Sequence, residues 1–173
     1  PDLYVDGSGV TPESTTSLVD AAVSVATFSV TNAARVAGVE VTATGDADLS
    51  GSGTFVTLST LTAAGSGKVA SSVVLSISSL AYSGSLTVKE SATITLSTLS
   101  AGSLTVSSST LVQFPQDPSG LRIIVGGLFE LQQGATVTAS AKGYPGGPVN
   151  STTPGSGPGG GRKAAVGTGG SGG

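Results

Sequence analysis

The chain contains no cysteine, no methionine, no tryptophan and no histidine. Without cysteine there is no disulfide framework and no thiol nucleophile. Without histidine a Ser-His-Asp triad is impossible, and losing both residue types removes the usual zinc ligands. Charge is also scarce: Asp, Glu, Lys and Arg make up 10% of 173 residues, against roughly 25% in an ordinary soluble domain. A net charge of −3 leaves no electrostatic footprint for nucleic acid or an anionic membrane. Aromatic residues are 4% of the chain, and Tyr4, Tyr82 and Tyr144 are too scattered to form a sugar-stacking platform. No apolar run approaches the roughly 18 residues a spanning helix needs, so membrane insertion is not expected. The chain opens at Pro1 and closes in Gly-Gly-Ser-Gly-Gly173, which reads as a piece cut from a longer or processed polypeptide.

What fills the sequence instead is Ser, Thr, Ala and Gly, the last at 27 residues. These suit tight and left-handed turns and supply hydroxyls for neighbouring backbone groups. They also recur. Gly84-Ser-Leu-Thr-Val88 returns as Gly102-Ser-Leu-Thr-Val106, and self-similarity at a fixed short period marks a solenoid. Apolar pairs extend the pattern at steps of 18 to 20: Phe28/Val30, Ala47/Leu49, Gly67/Val69, Leu86/Val88, Leu104/Val106 and Ile123/Val125. A second column runs Val39, Val56/Leu58, Leu75/Ile77, Ile94/Leu96, Val112/Phe114 and Leu131, and a third runs Leu61, Leu80 and Leu99. Within each pair the apolar residues flank another residue, usually Ser or Thr, as a half-buried strand requires. Three short strands per turn, stacked in register, make an all-β, single-stranded parallel β-helix of about six coils. Each coil advances about 4.8 Å, and only stacking buries the apolar face. Coils of 18 to 20 with unequal turns favour the right-handed form, as does the general handedness of parallel connections. A left-handed helix would keep a stricter six-residue cadence.

The expected division is an N-terminal strand or cap segment over 1–25, the β-helix over 26–140 and a Gly/Pro/Ser-rich tail or linker over 141–173. Thr11-Pro12-Glu13-Ser14 carries a helix-start signal, and a short helix there would cover the open end of the solenoid. The rival reading is another strand, since Ala21/Val23 lies 18 residues before Val39/Val41. Pro115-Gln-Asp-Pro-Ser-Gly120 is the clearest interruption of the repeat.

On these columns, residues 26–139 resemble the pectin-lyase-like parallel β-helix superfamily. The junction Ala139-Ser-Ala-Lys-Gly-Tyr-Pro-Gly-Gly147, followed by Gly155-Ser-Gly-Pro-Gly-Gly-Gly161, is similar to features of very large secreted or surface proteins with β-helix segments and glycine-rich linkers. The resemblance implies a fold and an extracellular or cell-surface setting; function has to come from the residues.

Carbohydrate-cleaving β-helices use carboxylate clusters, and the nearest match here is Asp46-Ala-Asp48, with Lys68 one coil later beside Asp48. The simpler reading is a solvated surface pair, because calcium wants six or more oxygens and the remaining acids form no column. No catalytic residue, metal or cofactor is therefore expected. Asn150-Ser151-Thr152 is a glycosylation sequon. The second face places Phe55, Val74, Thr93 and Leu111 outward, an apolar stripe that should be covered, either by the chain itself or by another subunit. A Thr-rich flat face also raises ice binding, but Asp48, Lys68 and Gln113 interrupt the Thr columns. The expectation is a non-catalytic building block of an extracellular fibril or surface filament, self-assembling into a homopolymer through coil ends and the stripe Phe55, Val74 and Leu111, with possible glycan at Asn150. The alternatives are a polysaccharide-binding or polysaccharide-cleaving β-helix, and an adhesin stalk or spacer.

Overall fold

The computed structural model describes residues 1–8, 15–18 and 22–144, and every regular element among them is a β-strand. All strand pairs are parallel and belong to one continuous sheet. The chain is a parallel β-solenoid with three faces. On the first, Leu3–Asp6, Phe28–Thr31, Ala47–Leu49, Gly67–Val69, residues 85–88, residues 103–106 and Phe129–Leu131 stack in turn. The second carries Thr16–Leu18, Arg35–Gly38, residues 55–58, 74–77 and 93–96, Thr110–Gln113 and Thr136–Thr138. On the third lie Val23–Val25, Glu40–Ala43, residues 60–63, 79–82 and 98–101, and Arg122–Val125. Strand Phe55–Ala63 turns one corner without a break, while Val74–Val88 and Thr93–Val106 each turn two.

The alternation dictates the core. Val30, Leu49, Val69, Val88 and Val106 lie one above another and are fully buried, as are Leu75, Ile77, Ile94 and Leu96 on the second face and Val41, Leu61, Leu80 and Leu99 on the third. Burying one such side chain contributes about 1.5–3 kcal/mol. The intervening Ser and Thr face outward, so the repeat of Val/Leu with Thr/Ser is what specifies register.

The corner between the first and second faces is built from left-handed residues. Asn32 and Ala33, Ser71 and Ser72, and Glu90 and Ser91 form pairs with φ between 54° and 63°, and Gly51 takes φ 99° at the same corner. Backbone bonds tie one corner to the next: Ser72 N donates to Glu90 O and Ser91 N to Ser108 O, each at 2.8 Å.

Three expectations need correcting, and the corners explain two of them. In the next coil Ser108 alone has positive φ, so the corner is one residue shorter and the alternation slips by one. Leu111, not Val112, therefore faces the core beneath Ile94, and Gln113 rather than Phe114 pairs with Leu96. The loop containing Pro115 and Gly120 then lengthens the path to the third face. Ile123 and Val125 consequently stack on Leu99 and Ala101, and Phe129 and Leu131 take the places beside Leu104 and Val106. At the other end Val36, not Val39, starts the second column; Val39 sits exposed at a corner, its carbonyl accepting from Ser59 N and Thr60 N. The helix-start signal at 11–14 lies outside the described residues. Those around it are strands, with Val23 paired to Val41 in the register of the rival reading.

Candidate functional site

Three surfaces could carry function: the second face, the charged patch around Asp46, Asp48 and Lys68 on the first face, and the C-terminal end of the core. On the second face the first outward column is Arg35, Phe55, Val74, Thr93, Thr110 and Thr136. Phe55 and Val74 are each 40% exposed and adjacent across the ladder. Leu111 does not belong with them. It is fully buried, because of the shortened corner at Ser108, and Thr110 takes its outward place. The stripe is thus an apolar pair continued by threonines on one side. On the other side Arg35 lays its guanidinium 4.6 Å from the centre of the Phe55 ring, a cation–π contact that covers part of the ring. Beside them Thr15, Arg35, Val36, Ala37, Phe55 and Thr57 line a shallow cavity of about 340 Å³.

On the first face Asp48 and Lys68 are direct ladder neighbours, as the register implied. Asp46 is occupied locally: its Oδ1 accepts from Ser66 N at 2.8 Å across the corner of the next coil. A carboxylate used this way caps backbone rather than facing a substrate. Farther along the same side Glu90 accepts from the Ser71 hydroxyl at 2.7 Å and pairs with Lys89 Nζ at 2.7 Å. The Lys89 contact first, then Ser71, holds its carboxyl below the usual range. Among the described residues no group of three His, Cys, Asp or Glu side chains could hold a metal.

The third surface is the open coil end, of whose apolar residues the repeat picks out Leu131 but not Phe129 or Val137. At the last coil the inward columns reach Phe129, Leu131 and Val137, which are 43%, 51% and 38% exposed, although their ladder neighbours in the preceding coil, Leu104, Val106 and Leu111, are fully buried. Nearby Gln113, Leu121, Ile123, Val137, Thr138 and Ala139 line a cavity of about 350 Å³. Apolar side chains in core positions with nothing above them among the described residues amount to an open section through the core. The signal was present in the sequence, because Leu131 stood in a column, but the loop at 115–120 disguised which column. Asn150 lies outside the described residues.

Comparison with known proteins finds no matching family model, no similar curated protein and no similar solved structure.

Proposed function

We propose that this chain is a non-catalytic structural element, the rigid building block of an extracellular fibril or cell-surface filament, which assembles through the ends of its solenoid and the Phe55/Val74 stripe. The observation that carries this reading is the exposure of Phe129, Leu131 and Val137 in core columns, since such surface calls for a covering partner. The regular interior supports it too, because a stack of parallel strands with a continuous aliphatic core resists bending and holds its shape along its length. Units joined by an interface that does not close on itself extend into filaments. The extracellular setting, the glycan at Asn150 and kinship with pectin-lyase-like segments of large surface proteins remain part of this reading, resting on composition and on the β-helix pattern.

Electron microscopy of the purified protein at increasing concentration tests it. Ordered polymers are expected; monodisperse particles at high concentration would overturn self-assembly and leave a stalk or spacer, which needs the same stiffness but no polymer. Polysaccharide binding has weaker support, because Asp46 is engaged with Ser66 N and Asp48 lies beside Lys68. Asp46→Ala and Asp48→Ala should leave any sugar binding unchanged.

A further inference from the structure

We infer that the joint between subunits is polar and head-to-tail: the C-terminal end of one copy seats the N-terminal end of a second copy, with Phe129 over Leu3, Glu130 beside Tyr4 and Leu131 over Val5. This rests on the filament reading and adds to it a direction and a contact.

The argument begins with what each end presents. Among the described residues Phe129–Leu131 pairs only with residues 104–106, and Leu3–Asp6 pairs only with Phe28–Thr31. Each strand therefore has one unpaired edge, and the two edges belong to opposite sides of the same parallel ladder. A strand edge is satisfied by another strand in matching register. The first-face columns of this molecule supply that register at both ends. Leu3 and Val5 begin the columns that finish at Phe129 and Leu131, and their side chains pack against the core while remaining partly exposed. Stacking copies continues each column without changing the alternation.

The remaining contacts agree. Following the same columns, Thr138 meets Ser17 on the second face and Gln132 meets Asp6 on the first. None of the end strands Leu3–Asp6, Thr16–Leu18, Val23–Val25, Arg122–Val125, Phe129–Leu131 or Thr136–Thr138 contains Lys or Pro, and their only charges are Asp6, Arg122 and Glu130, where natural sheets blunt an edge with Lys, Pro or other charged side chains. The glycine-rich stretch over 145–173 fits the end less well. Its sequence is mostly Gly, Pro, Ser and Thr, with Ala164/Val166 as its one apolar alternation, whereas the open end presents apolar columns on all three faces.

Charge does not oppose the joint: Asp6 stands at one end, and Arg122 and Glu130, of opposite sign, stand at the other.

Cysteine cross-linking tests the register directly, because the native chain has no cysteine. Tyr4 and Glu130 both point outward and are exposed. Neighbours in adjacent strands lie within the roughly 4.4–6.8 Å Cα separation that a disulfide spans. Mixing Tyr4→Cys with Glu130→Cys protein under mild oxidation should give a mixed dimer, and the double variant should give a ladder of multimers. Thr87→Cys, in the middle of the rod, should cross-link with neither. Polymers visible by microscopy without the Tyr4–Glu130 bridge, or with Tyr4–Tyr4 bridges instead, overturn the polar joint and leave the filament reading standing. Monomers with no bridge overturn both, and slow alkylation of Glu130→Cys in those monomers would identify the chain's own residues as the cover.

Discussion

The Tyr82 hydroxyl donates to the Ala47 carbonyl at 2.9 Å, reaching from the third face across the core to the first. Its ring fills the space that a side chain at residue 67 would occupy: a Cβ on Gly67 would collide with the ring and with the Ala47 carbonyl. One aromatic thus replaces two side chains in the first-face column, where Ala47 and Gly67 interrupt the larger residues Phe28 and Leu86. Burial pushes the phenol well above its ordinary range, and Asp48 and Asp46 act in the same direction, so it stays a neutral donor. Gly67→Ala should destabilise by about 1–3 kcal/mol through overpacking, and Tyr82→Phe by about 0.5–1.5 kcal/mol through the lost hydrogen bond. Chemical denaturation of both variants checks this. In a Tyr82→Ala background Gly67→Ala should cost less, the collision with the Ala47 carbonyl alone remaining; strict additivity would show that the carbonyl, not the ring, excludes a side chain there.

The one-residue slip at Ser108 has its own test. Leu111 is fully buried beneath Ile94, whereas Val112 points outward and is only partly covered. Leu111→Ala should therefore cost about 2–5 kcal/mol, the range for truncating a core aliphatic, and Val112→Ala well under half of that. Urea midpoints of the two variants decide it. A larger loss at Val112 would restore the unslipped register.

How much of this was legible beforehand follows from the same corners. Val30, Leu49, Val69, Val88 and Val106 can be read as one stack, because their coils are 18 to 20 residues long and the alternation holds within each strand, the corners resetting it in the same way each time. The stacking failed to extend to Val125 because the loop at 115–120 adds length between the second and third faces, and a fixed step then lands on the wrong face. The sequence points Leu111 outward for a smaller reason: a corner needing one left-handed residue instead of two cannot be told from sequence when Ser fills both kinds. Gly67 stands among the apolar pairs although it has no side chain, and the residue that fills its place, Tyr82, comes from another face fifteen residues later. Alternation reveals which side a residue faces locally; which columns meet across the core depends on turn lengths and side-chain volumes that no local pattern carries.

The left-handed corners should respond to substitution according to backbone geometry. Gly51 has φ 99°, and a Cβ there would come 2.5 Å from Asn32 N, so Gly51→Ala should destabilise. Ser91 has φ 63°, a conformation especially poor for β-branched residues. Ser91→Val should therefore destabilise too, while Ser91→Gly should be neutral or stabilising by up to about 1 kcal/mol, because relief of strain outweighs the added freedom of the unfolded chain. Thermal midpoints of the three variants check the ranking, and a Ser91→Val protein as stable as the parent would mean that the corner is not held in this geometry.

Acid should weaken the rod where carboxyls are held in their charged form, at Asp117 and, with the contacts on both sides visible, at Glu90 and Asp6. The Lys89 ammonium and the Ser71 hydroxyl hold the Glu90 carboxyl below its usual 4.5, and the hydroxyl and backbone N–H of Ser8, with Asn32 Nδ2, hold Asp6 below 3.8. Each carboxyl is a stronger acid when folded than when unfolded, so the unfolded chain binds more protons between the two values. The stability these groups contribute is therefore complete above the unfolded values and disappears as pH falls through the folded ones. Without histidine in the chain, no side chain of ordinary pKa titrates near neutrality. Urea midpoints should thus hardly change between pH 8 and 6 and should fall below about pH 4, where ordinary carboxylates titrate. Glu90→Gln and Asp6→Asn should each flatten the acid limb while lowering the plateau; variants as acid-sensitive as the parent would place the decline in other carboxylates.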